Sequence, residues 1–106
     1  MDISAKIEAE RLNYLKNHDE VAQSVKKICI LHDVRARVIL FGSTLRGDWN
    51  IDSDIDLIII LSDLKAKDRI VVDIYRTIDA PVELHFATED IFEKWYLRFI
   101  DVYREI

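Results

Sequence analysis

Glycine is almost missing from this chain. Only Gly42 and Gly47 occur among 106 residues, where an ordinary domain carries about 7%. That excludes glycine-rich linkers and low-complexity tracts and concentrates backbone freedom in one place. Proline is scarcer still, with Pro81 alone, so long stretches are free to run as uninterrupted helix. The single cysteine, Cys29, has no internal disulfide partner, and nothing at the N-terminus resembles a signal peptide. A reducing, cytoplasmic location is therefore expected. The apolar run Ile55 to Leu61 is interrupted by Asp56 and is far too short to span a bilayer; no membrane association is expected. Excess positive charge is also lacking: 15 Lys and Arg face 20 Asp and Glu, for a net charge of −5. Stable nucleic-acid binding needs a basic footprint and is not expected. Small anionic ligands remain open if metal ions neutralise their phosphates. Half of the residues are apolar, which argues for a folded core and against disorder.

What is present reads as alternating helices and strands. Residues 3–32 carry helical spacing, with Val21, Val25, Ile28, Cys29 and His32 on one face. Asn17-His18-Asp19 interrupts the segment, with Asp19 as the expected N-cap. Val38 to Phe41 is a short apolar run ending at Gly42, the pattern of a buried strand. Ile55 to Leu61 is β-branched on both faces, which predicts a central strand covered on both sides. Lys65 to Ile78 returns to helical spacing through Ile70, Ile74 and Ile78, and Ala80-Pro81 ends it. Val82 to Phe86 alternates as a third strand. Thr88 is the expected N-cap of a last helix running through Trp95, Phe99 and Val102 to Ile106. The predicted order, α-α-β-β-α-β-α, is a small α/β sandwich forming a single domain over 1–106, with an N-terminal helical segment (about 3–32) and a catalytic core (about 36–106).

Chemistry concentrates around the glycines. Gly42-Ser43 follows a strand and opens a short helix at Thr44, aiming backbone N–H groups and the Ser43 hydroxyl at an anion. Arg46, one turn on, can add a charge-assisted contact. Side chains alternate along a strand, so Asp54 and Asp56 project from one face, roughly 7 Å apart. Such a pair repels unless a cation lies between, and hard oxygen donors select Mg²⁺ or Mn²⁺. Glu83 and His85 share a face of the third strand; if that strand lies beside Asp56, Glu83 becomes a third carboxylate, as two-metal phosphoryl transfer requires. Taken singly, a Gly-Ser turn, an Asp-x-Asp pair or an arginine after a turn is commonplace. The combination is not, because Asp56 stands among Leu57, Ile58, Ile59 and Ile60, where an ionised carboxylate is costly unless paired or metal-bound. His85 reads more readily as a structural histidine, His18 and His32 as surface residues, Cys29 as core, and Lys65 and Lys67 as solvated charge. The aromatics Phe92, Trp95, Tyr96, Phe99 and Tyr103 exceed one helical stripe and suggest a protein interface, open to homo-oligomers.

Gly42-Ser43, Arg46-Gly47 and Ser53-Asp54-Ile55-Asp56-Leu57 together resemble the signature of the DNA polymerase β-like nucleotidyltransferase superfamily. The layout is similar to its minimal nucleotidyltransferases, the MntA-type proteins. The resemblance implies the nucleotidyltransferase fold, a mixed sheet of about three to four strands flanked by helices. It implies transfer of a nucleoside monophosphate from an NTP, ATP first, to a hydroxyl. By that resemblance Gly42 and Ser43 would hold the phosphates, with Arg46, from its place one turn on, as the further phosphate-binding residue. Asp54, Asp56 and Glu83 would be the catalytic carboxylates and bind two Mg²⁺ ions, with Mn²⁺ as the substitute. The third carboxylate of the family is most often aspartate, so Glu83 is a departure that bears on turnover. Larger relatives add a helical acceptor-binding domain, for which 106 residues leave no room. The resemblance thus implies a partner as acceptor, typically a HEPN-domain toxin that the antitoxin adenylylates; the alternative is a catalytically weak module that neutralises the toxin by complex formation.

Overall fold

The computed structural model describes residues 2–106. Helix α1 (Ile3–Lys16) begins at Asp2, whose carboxylate accepts from the Ala5 N–H at 2.8 Å. It is followed after one residue by α2 (His18–His32). The break falls where the sequence placed it, but Asp19 is not the cap. Asn17 occupies that position without a side-chain cap bond, because its amide donates back to Asn13. Asp19 instead pairs with Arg104 near the other end of the chain. Strand β1 (Arg37–Phe41) leads into α3 (Ser43–Arg46). Strand β2 (Ile55–Ile60), a 3₁₀ turn (Leu64–Ala66) and α4 (Lys67–Thr77) lead to β3 (Val82–Ala87) and α5 (Glu89–Lys94). A second 3₁₀ turn (Tyr96–Arg98) and β4 (Tyr103–Glu105) complete the fold.

The four strands form one sheet in the order β3-β2-β1-β4. β1 is antiparallel to both β2 and β4, while β2 and β3 run parallel with α4 as the crossover. β2 is interior, and Leu57 to Ile60 are all buried, as a continuous apolar run requires when both faces are covered. One face packs against α1, α2 and α4, with Leu40, Leu57 and Ile59 meeting Leu15, Val25, Cys29, Ile70 and Ile74. Burial pushes the Cys29 thiol up to about 12, so it serves as packing rather than as a nucleophile. The other face is smaller: Ile39, Ile58, Ile60 and Ala87 are covered by Phe92, with Phe41, Tyr96 and Ile100 alongside.

The C-terminal expectation is corrected. The last helix does not reach Ile106; α5 stops at Lys94, and the chain turns back as β4. β1 would otherwise present an unpaired edge, and β4 covers it in the register Leu40↔Arg104. The Ile106 N–H continues the ladder to the Val38 carbonyl at 2.9 Å. Arg37 clamps this return, its guanidinium reaching Glu105 and Glu89 at 2.6 Å each. Helical spacing of aromatics cannot register a hydrogen-bonding partner sixty residues away. The aromatics therefore do not form one helical stripe. Phe92 is buried, while Trp95 and Phe99 are exposed and meet in a tilted contact with ring centroids 5.0 Å apart.

Candidate active site

The backbone of the first turn is set by its glycine. Gly42 has φ 85° and ψ −161°, a conformation essentially reserved for glycine. It brings the turn directly over the second strand: a Cβ at Gly42 would lie 2.2 Å from Asp56 Oδ2. Gly47, at φ 86° and ψ 7°, ends α3 in the left-handed region with nothing near it. Its role is to reverse the chain.

Register brings the carboxylates together. Phe41 pairs with Asp56 across β1 and β2, and Asp56 pairs with Glu83 across β2 and β3. Alternation puts all three on the sheet face opposite α1, α2 and α4, with His85 two residues beyond Glu83. Asp56, Glu83 and His85 each offer a ligand atom within 4.8 Å of the others. The His85 ring stands between Phe41, with centroids 5.6 Å apart, and Tyr96, at 6.0 Å. The Asp56 carboxyl is pushed up to about 7, chiefly by burial, then by its hydrogen bond to Glu83 and the negative charges of Glu83 and Asp54; the Arg46 charge opposes this. A half-buried carboxylate in that field lacks positive charge.

Asp54 lies one residue before β2, and its carboxylate is held by Arg11 at 3.0 Å rather than turned into the Asp56–Glu83 cluster. Sequence reading missed Arg11. From α1 its guanidinium also donates to the carbonyls of Ile51 at 2.5 Å and Ser53 at 2.7 Å, so one planar fork pins the loop that delivers Asp54. No local pattern signals it, because its partners lie some forty residues away. Arg11→Ala should lower stability by about 1–2 kcal/mol through these lost bonds. It should also weaken divalent-cation binding, and Arg11→Lys should fail to restore either, since an ammonium cannot make the fork; chemical denaturation and metal titration measure both. Arg46, expected at phosphates, is engaged by Asp48 at 3.2 Å and Asp101 at 3.5 Å. Lys67 lies over the Phe86 ring, on the helical side of the sheet and away from the carboxylates. Nor are the other histidines free at the surface: His18 Nδ1 contacts the Leu15 carbonyl at 2.8 Å, and His32 pairs with Asp73 at 2.5 Å.

Comparison with other proteins bears on the family and the fold. The family of the nucleotidyltransferase domain matches residues 12–105. A Methanocaldococcus jannaschii protein, proposed by its name to be a protein adenylyltransferase, is 42% identical over 57 residues, covering 49% of this chain and 58% of that protein. The match thus spans little more than half the length of that relative. A crystal structure of a proposed nucleotidyltransferase superposes with a TM-score of 0.64 at 29% identity, covering 79% of this chain and 95% of the other. A second, from Sulfolobus solfataricus, gives 0.53 at 21% identity over 99% of this chain and 87% of its own, a likeness of fold. No helix among the described residues is long and apolar enough to cross a membrane. With a family match that runs from α1 to β4, the chain belongs to the nucleotidyltransferase domain family.

Proposed function

We propose that this chain is a single minimal nucleotidyltransferase domain that moves AMP from ATP to a hydroxyl of a partner protein. The observation that carries the reading is the convergence of Asp56 and Glu83, in register on neighbouring strands, beneath a turn whose glycine abuts the Asp56 carboxylate. The residues fit a divalent cation: donor atoms of Asp56, Glu83 and His85 lie within 4.8 Å of one another, and a Cβ at Gly42 would fill the approach to Asp56. Asp56 and Glu83 would hold Mg²⁺, with Asp54 able to join them once its carboxylate leaves Arg11; the ion supplies charge neutralisation of the triphosphate and activation of the acceptor oxygen.

The chain's own groups divide the remaining work. The Gly42 backbone and the Ser43 hydroxyl receive the β- and γ-phosphates, and Arg46 adds charge at the rim. Glu83, the more exposed carboxylate of the pair, accepts the acceptor hydroxyl proton. The acceptor oxygen bonds to the α-phosphorus, the bond from that phosphorus to the bridging oxygen breaks, and pyrophosphate departs with its electron pair. Arg11 keeps the Asp54 loop in place throughout. The exposed Trp95–Phe99 pair is an apolar surface for the acceptor protein or for a second copy of the chain. The family resemblance supports a HEPN-domain toxin as acceptor, with this chain as antitoxin.

The test is incubation with ATP radiolabelled at the α-phosphate, Mg²⁺ and the HEPN-domain protein. Label should appear on the partner and vanish with Asp54→Asn. A tight complex that never acquires label would instead establish a module acting by occlusion. Mg-ATP should also raise the melting temperature, as a ligand of the native state must.

A further inference from the structure

We propose that His85 is a direct nitrogen donor to the divalent cation, making the site a mixed one of two carboxylates and an imidazole that favours Mn²⁺ over Mg²⁺. The inference rests on the preceding reading only in placing a cation between Asp56 and Glu83. Bonds of about 2.1 Å put two donor atoms of one ion about 3 Å apart when adjacent and about 4.2 Å apart when opposite. The three side chains bring their donor atoms mutually within 4.8 Å, close to the wider of those spans. His85 Nε2 stands 3.7 Å from Glu83 Oε1. That is too long for a hydrogen bond but falls within the span of two ligands sharing an ion.

The fold also fixes the ring. In the parallel register Ile58 lies beside His85, one alternation beyond the Asp56–Glu83 pair and on the same face. Phe41 and Tyr96 flank the imidazole at tilts of 57° and 68°, so its nitrogen is carried toward the carboxylates on a restricted ring. A phenylalanine would satisfy this aromatic packing equally well; what the histidine adds is a donor atom beside two carboxylates. Purely carboxylate sites suit Mg²⁺ and Mn²⁺ alike, whereas a nitrogen donor is tolerated better by Mn²⁺, a first-row transition ion, than by the harder Mg²⁺.

The decisive measurement is pulsed electron paramagnetic resonance of the full chain loaded with Mn²⁺ alone, which reads nitrogen coupling without any turnover. The wild-type protein should show one histidine nitrogen on the ion. His85→Phe, which retains the packing between Phe41 and Tyr96, should abolish the coupling and weaken Mn²⁺ about tenfold or more, while Mg²⁺ affinity changes less than about threefold. Mn²⁺ bound at an Asp56-dependent site without nitrogen coupling would overturn the role of His85 and leave the carboxylate site standing. Absence of Mn²⁺ binding, or equal binding by Asp56→Asn, would remove both this inference and the metal-dependent function. The wild-type spectrum decides the matter even if the variant folds poorly.

Discussion

Asp56→Asn is expected to abolish nucleotidyl transfer while making the metal-free protein more stable at pH 8. Loss of the charge that binds the cation removes several kcal/mol of transition-state stabilisation, or about 10³-fold or more in rate. The opposite sign in stability follows from linkage. Asp56 is raised from 3.8 to about 7 in the folded protein, first by burial and then by Glu83 and Asp54. Between those values the native state binds more protons than the unfolded chain, so stability falls as pH rises through that window. The contribution is fully present below about pH 4 and gone above the folded value. Asparagine keeps the shape and never ionises, so the slope between pH 4 and 7 should flatten. At pH 8 the variant should gain about 1–2 kcal/mol, after allowing for solvent screening of a half-buried group. Urea titrations across pH, without divalent ions, measure this directly. An unchanged pH slope would mean that the wild-type carboxylate meets no such field.

Gly42→Ala should be the most damaging single-methyl change in the chain. Its new Cβ would lie 2.2 Å from Asp56 Oδ2, 3.0 Å from Cγ and 3.2 Å from Cβ, so the carboxylate must swing away from Glu83. The backbone at φ 85° and ψ −161° adds strain that no L-residue tolerates well. Together these should cost about 2–4 kcal/mol, and the displaced carboxylate should lose divalent-cation binding. Gly47→Ala is the internal control. Its φ of 86° and ψ of 7° lie in the left-handed helical region, which is less strained for an L-residue than the Gly42 conformation, and nothing lies within 4 Å of the added methyl. It should cost about 1 kcal/mol and leave metal affinity intact. Equal stability and equal metal affinity of the two variants would show that the contact with Asp56 is inconsequential.

The contrast between those glycines shows where sequence reading reached its limit. That both mark backbone turns was legible from their scarcity; that one of them touches a carboxylate was not, since the contact spans two strands. The strand Ile55–Ile60 and its interior position were legible because a β-branched run bounded by polar residues can be buried on both faces in few ways. Glu83 could be nominated, but only on the condition that β3 lay beside β2. The parallel register Asp56↔Glu83 meets that condition. The C-terminus misled for an equally physical reason: α5 starts at Thr88 as its local signals say, whose hydroxyl accepts from the Ile91 N–H, but the segment beyond Lys94 is governed by the open edge of β1.

By itself, then, the sequence determined the elements whose causes are local: the capped start of α5, the break near Asn17, the apolar strand, the glycine turn and the spacing of its aspartates. Only the tertiary structure decided which of these groups meet. It joined Asp56 to Glu83 and His85, gave Asp54 to Arg11, set the His85 ring between Phe41 and Tyr96, and closed the sheet with β4. Local propensity and periodicity act over a few residues. Register, burial and pairing arise where distant segments share a core, and the candidate site is built from those.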